Sequence, residues 1–153
     1  MDTQALQDFK QGLTLLRNNY PGKALVPLTK AVELENNNPF YISYLGVAIA
    51  RARKDWSLAA KLCSQALQMA RTQPALYLNL AEVYSLAGDK EEAIDTLRRG
   101  LELTKQNEHL ADALRGFGTR KPPVLRFLDR THFLNQHFGK MRNRLLISRG
   151  KAA

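Results

Sequence analysis

Apolar residues recur at spacings of three and four from about residue 5 to residue 105, and short polar stretches interrupt them. That period is the mark of amphipathic helices. Leu15 and Leu28 fall on such stripes, as do Leu45, Ile49 and Leu62, and then Tyr77, Leu80, Tyr84 and Leu97. Three turn signals divide the helices into pairs: NNYPG at 18 to 22, KDWS at 54 to 57 and AGDKEE at 87 to 92. Pro39 and Pro74 open the first helices of the second and third pairs. A proline costs little there, because the N–H it lacks would have no intrahelical partner.

The pairs repeat. Segments beginning at Gly12, Gly46 and Ala81 align, with spacings of 34 and 35 residues. Each first helix carries one small residue at the same place: Gly12, Gly46, Ala81. Each second helix carries two, seven apart: Ala24 and Ala31, Ala59 and Ala66, Ala93 and Gly100. Small side chains let two antiparallel helices approach closely, and a fixed period of this length points to a solenoid.

In this alternation of small and large residues the sequence resembles the tetratricopeptide repeat over residues 5 to 105, most closely in LYLNLAEVYSLAGDKEEAIDTLRRGLEL. The resemblance implies an all-α, right-handed α-solenoid of three helix hairpins, at about 5–38, 39–73 and 74–106. Asp8 and Gln11 stand where the family places large apolar residues, so the first helix is expected to be exposed on one side, as terminal repeats are. Cys63 likewise replaces a bulky apolar residue.

In that family the first helices line the concave side. The resemblance therefore puts Leu6, Phe9, Leu13, Leu16 and Arg17 in a groove, with Phe40, Ser43, Val47 and Arg51 from the second repeat. Ala75, Leu78, Asn79, Glu82 and Ser85 follow from the third. Phe40, Val47, Arg51, Leu78 and Glu82 are the expected centre of a largely apolar groove suited to a helix or an extended peptide. Family members that grip the acidic C-termini of heat-shock chaperones use lysine, arginine and asparagine at set positions. Only Asn79 matches; Phe9, Leu13, Tyr44 and Ala75 occupy the others, which argues against such a clamp.

Beyond the repeats, residues 107–118 read as a capping helix, with Asn107 at its start and Leu110, Ala111 and Leu114 on one stripe. Residues 119–153 differ. Pro122 and Pro123 favour an extended chain, and Val124, Leu125, Phe127 and Leu128 need a burial site. The protein's own groove or the flank of its last repeat is the nearest. Leu134, Phe138, Met141 and Leu145 then form a helical stripe. The double proline and the F-L-N-x-x-F-G-K run look like a tail found on some small bacterial tetratricopeptide proteins.

Charge sharpens the division. The net charge is +2 up to Lys105 and +7 from Gln106 onward. Three readings of the tail stay open. It packs on the repeats, it lies as a basic amphipathic helix on an anionic membrane, or it contacts nucleic-acid phosphates. Arg126, Arg130, Lys140, Arg142 and Arg144 would supply the charge.

The remaining chemistry is sparse. A lone Cys63 permits no internal disulfide, and its place in a second helix suggests a buried inert thiol. His132 and His137 are five apart, so they do not share a helix face as metal ligands do at a spacing of four. Asp89, Glu91 and Glu92 sit at a helix start, where they favour the dipole. No glycine-rich phosphate loop, apolar run of membrane-spanning length or signal peptide is evident, so a cytoplasmic location is the default. The expectation is a noncatalytic protein–protein interaction module, an adaptor or scaffold without cofactor or metal. The alternative is a peripheral anchor acting through the tail.

Overall fold

The computed structural model describes residues 3–105 and 107–118. They form seven helices: α1 Thr3–Arg17, α2 Pro21–Leu34, α3 Pro39–Arg53, α4 Trp56–Met69, α5 Pro74–Ala87, α6 Lys90–Leu103 and α7 Glu108–Gly118. Among the described residues there is no strand. The expectations for residues 119–153 lie outside the described residues. These include an extended then helical tail, burial of Val124, Leu125, Phe127 and Leu128 in the groove or on the flank of the last repeat, and Arg126, Arg130, Lys140, Arg142 and Arg144 on an anionic partner.

Local chemistry sets the helix ends. Asn38 caps α3 by accepting from the Phe40 N–H at 3.1 Å, with Pro39 next to it. Asp55 caps α4 by accepting from the Leu58 N–H at 3.1 Å. Asn107 accepts from the His109 N–H at 3.0 Å and from Leu110 at 3.4 Å, which starts α7. These contacts satisfy N–H groups that have no partner within the helix.

The first helix of each hairpin stops at a left-handed residue: Asn19 (φ 59°), Lys54 (φ 56°) and Gly88 (φ 93°). After α1, the Tyr20 N–H reaches the Leu15 carbonyl at 2.8 Å and the Asn19 N–H the Leu16 carbonyl at 3.2 Å. After α5, the Asp89 N–H reaches Tyr84 at 2.9 Å and the Gly88 N–H reaches Ser85 at 3.2 Å. These paired bonds close the helix end and reverse the chain.

Successive hairpins α1–α2, α3–α4 and α5–α6 pack on one another, α2 against α3 and α4 against α5. The first helices also touch in sequence, α1 with α3 and α3 with α5. The close approach within each hairpin is visible at the small residues. A Cβ on Gly12 would lie 2.5 Å from Leu28 Cγ. On Gly46 it would lie 2.8 Å from Cys63 Sγ and 3.0 Å from the Ala59 carbonyl. The core runs along the stack as linked clusters, Val47, Ile49, Ala59, Cys63, Leu80 and Val83 forming the central one.

α7 lies against α5 and α6. Leu110 is fully buried with Tyr77, Ala81, Ala93 and Leu97. Gly100 makes room for it, since a Cβ there would meet Leu110 Cδ1 at 3.0 Å and Tyr77 Cγ at 2.8 Å.

One expectation for α1 is corrected. Asp8 is buried, not solvent-facing, and accepts a hydrogen bond from Gln4 Nε2 at 3.3 Å. It lines a shallow cleft between α1 and α2 with Leu15, Pro27 and Lys30. Gln11 is exposed.

Candidate functional site

The first helices of the three hairpins border a concavity of about 360 Å³. From α1 come Leu13, Leu16 and Arg17; from α3, Tyr44, Val47 and Arg51; from α5, Asn79 and Glu82. Leu16 and Val47 are almost wholly buried and form the floor. Leu13 and Tyr44 are half-buried, and Arg17 is exposed at the rim.

Arg51 binds the three inner helices together. Its Nε lies 2.5 Å from Glu82 Oε1 on α5, and its Nη1 donates to the Leu16 carbonyl on α1 at 3.3 Å. Arg51 and Glu82 side chains are each 33% exposed, so water still screens the pair. Arg17 makes no hydrogen bond or ion pair among the described residues.

Beneath this surface is a buried polar relay. Asn79 Nδ2 donates to Ser43 Oγ at 3.0 Å. The Ser43 hydroxyl donates toward Cys63 Sγ at 3.9 Å, and the thiol lies 3.4 Å from the Ser43 carbonyl as donor. The relay joins α3, α4 and α5 and satisfies polar groups that would otherwise be costly to bury. Burial pushes the Cys63 thiol up to about 12; its bond with Ser43 opposes that only partly. A thiol so placed stays protonated and is a poor nucleophile. No three His, Cys, Asp or Glu side chains gather as a metal site among the described residues.

The sequence-derived groove residues divide. Leu13, Arg17, Val47, Arg51, Asn79 and Glu82 meet around the concavity. Ser43 is fully buried below it. Phe9 stacks on Tyr41, ring centroids 4.6 Å apart, and meets Tyr44 edge-on at 5.6 Å. Phe40 packs with Val32 against Tyr41 and Ile42, and Leu78 packs beside Tyr77 and Leu110. All three are half-buried and outside the lining. The lining is therefore more polar than expected, because these apolar side chains are drawn into the clusters between hairpins. Tyr44, which the family resemblance puts at a clamp position but outside the expected groove set, also lines the concavity. It precedes Asn79 by 35 residues, one repeat, so the two hold equivalent places in successive hairpins.

These stacked hairpins with an inner-helix concavity define an α-solenoid. The model of the tetratricopeptide repeat family matches residues 50–116. Over that stretch the chain is similar to tetratricopeptide-repeat proteins. No curated relative matches it.

Solved structures agree in fold. The first such domain of Spaghetti (RPAP3), bound to the HSP90 peptide SRMEEVD, is 23% identical with a TM-score of 0.62, covering 74% of this chain and 92% of that one. The Sgt2 domain from Aspergillus fumigatus is 15% identical with a TM-score of 0.67, covering 86% and 93%. The type III secretion translocator chaperone SycD of Yersinia enterocolitica is 14% identical with a TM-score of 0.63, covering 76% and 93%. No helix among the described residues is long and apolar enough to cross a membrane.

Proposed function

We propose that this protein is a noncatalytic adaptor that holds a peptide or helix of a partner protein in the concavity between α1, α3 and α5. The observation that carries this reading is the open surface itself. Leu13 and Tyr44 present accessible apolar area over a closed floor, with Arg17 and Glu82 beside them. Such a mixture of apolar anchors and a few polar groups is what peptide grooves use. The fold's likeness to the Spaghetti domain, solved with a bound peptide, supports a peptide-sized ligand.

The ligand differs from a chaperone C-terminus. Phe9, Leu13, Tyr44 and Ala75 supply no positive charge where the family's carboxylate clamp needs it, and the Asn79 amide is already donating to Ser43. The test is affinity capture with the full chain and with Leu13→Glu, followed by identification of bound proteins. A partner enriched by the wild type and lost with the variant, at unchanged thermal stability, supports the groove. Partners captured equally by both place the interaction elsewhere.

The +7 charge after Lys105 favours a second reading, attachment of the tail to an anionic membrane or nucleic acid. Sedimentation with vesicles containing phosphatidylserine tests its membrane form. No co-sedimentation at low salt removes it.

A further inference from the structure

We infer that the segment bound in this groove carries an internal acidic side chain that pairs with Arg17. This rests on the groove reading above and specifies its partner. Three charged groups line the concavity, Arg17, Arg51 and Glu82. Arg51 and Glu82 neutralise each other at 2.5 Å. Among the described residues Arg17 is left as the unmatched cation of this lining, so an apolar occupant without an acid would leave it with one uncompensated positive charge.

Arg17 is also not needed where it stands. A cation in a helix's last turn ordinarily compensates the exposed carbonyls. Here the Thr14, Leu15 and Leu16 carbonyls already accept from the Asn18, Tyr20 and Asn19 N–H groups, at 3.0, 2.8 and 3.2 Å. Arg51 gives the Leu16 carbonyl a second donor. The end of α1 is thus closed by backbone and by a neighbouring helix, and the Arg17 guanidinium stays exposed at the rim beside Leu13. Its planar donors match a carboxylate in two-point contact.

The acid is internal to the segment because the surrounding positions, Leu13 and Tyr44, are apolar and suit side chains on either side of it. A free C-terminal carboxylate would find no second cation, since Arg51 is committed to Glu82.

The test uses the full chain and fluorescein-labelled amphipathic peptides of sixteen residues, blocked at both ends. Leucines stand at helical spacing, and one scanned polar position is Glu, Gln or Lys. Fluorescence anisotropy is read at low and high salt. The best Glu peptide is expected to bind about two- to five-fold more tightly than its Gln counterpart, the range of a partly exposed ion pair, and the gap should narrow with salt. Arg17→Gln should abolish the preference and Arg17→Lys should keep most of it. A Glu preference that survives Arg17→Gln overturns the inference while leaving the groove intact. Binding unaffected by Leu13→Glu overturns the groove reading. Failure of every peptide to bind overturns both.

Discussion

Arg51 on α3 reaches Glu82 on α5 with Nε 2.5 Å from Oε1, and the same guanidinium holds the Leu16 carbonyl on α1. One side chain therefore spans the inner surface of three hairpins. Because both partners are about one-third exposed, the ion pair itself is expected to couple by only about 0.2–1 kcal/mol in a double-mutant cycle of Arg51→Gln and Glu82→Gln. Arg51→Gln should destabilise more than Glu82→Gln, since only Arg51 also serves α1. Urea unfolding at low salt and in 1 M salt reads both effects. The coupling should shrink with salt, while the Arg51 excess should persist.

Cys63 makes stability fall at alkaline pH. Its thiol is wholly buried, and burial pushes it up from its ordinary value of 9.0 to about 12 in the fold. Between those values the unfolded chain has lost the proton and the native chain still holds it. The unfolded state then binds fewer protons, so unfolding becomes easier as pH rises through this window. The contribution is fully present below about pH 9 and is lost as pH climbs toward 12. Cys63→Ala should flatten that part of the pH–stability curve relative to wild type. In the native protein a thiol reagent should label Cys63 only at the rate of unfolding.

Lys54 occupies the left-handed region at φ 56° while the equivalent chain reversal after α5 uses Gly88. A side chain there costs roughly 1–2 kcal/mol, and the backbone entropy lost by a glycine returns about half of that. Lys54→Gly is expected to stabilise by about 0.5–1 kcal/mol, or a rise in Tm of about 1–4 °C for a chain of this size. Arg53→Gly, one residue earlier and inside α3, should instead lower Tm.

The hairpins were legible because close helix approach excludes side chains at fixed intervals. Gly12 and Gly46 are small for a reason seen in distances of 2.5 and 2.8 Å to the facing helix. The groove was less legible. One residue along a helix turns a side chain by about 100°, and Ser43 and Tyr44 differ by that step: one is buried under the floor, the other lines it. A serine suits either setting, and what buries it is Asn79, a partner 36 residues away. Phe40 and Leu78 pose the same problem, because an apolar side chain does not itself say whether it faces a ligand or the next hairpin. Asp8 poses the converse problem, since an acidic side chain does not itself announce that it is buried at the seam of α1 and α2.

The small-residue register predicts a cost at Ala81. It is 3% exposed, in one cluster with Tyr77, Ala93 and Leu97. Ala81→Leu adds volume where the α5–α6 crossing has none to give. It should destabilise by about 1–3 kcal/mol, read as a lower urea midpoint with an unchanged slope. An unaltered melting temperature would contradict the register.

Leu110 decides whether α7 belongs to the core or is merely appended. Its side chain is fully buried against Tyr77 and Leu97, in the space left by Gly100. If α7 shields the end of the stack, removing that side chain opens a cavity shared by three helices. Leu110→Ala is then expected to cost about 2–5 kcal/mol. The loss should not be local to α7. Because Leu97 and Tyr77 line the same cavity, amide exchange should speed up in α5 and α6 as well, while α1 and α2, which make no contact with α7, change least. Faster exchange confined to residues 108–118 would show instead that the last helix contributes nothing to the hairpin beneath it.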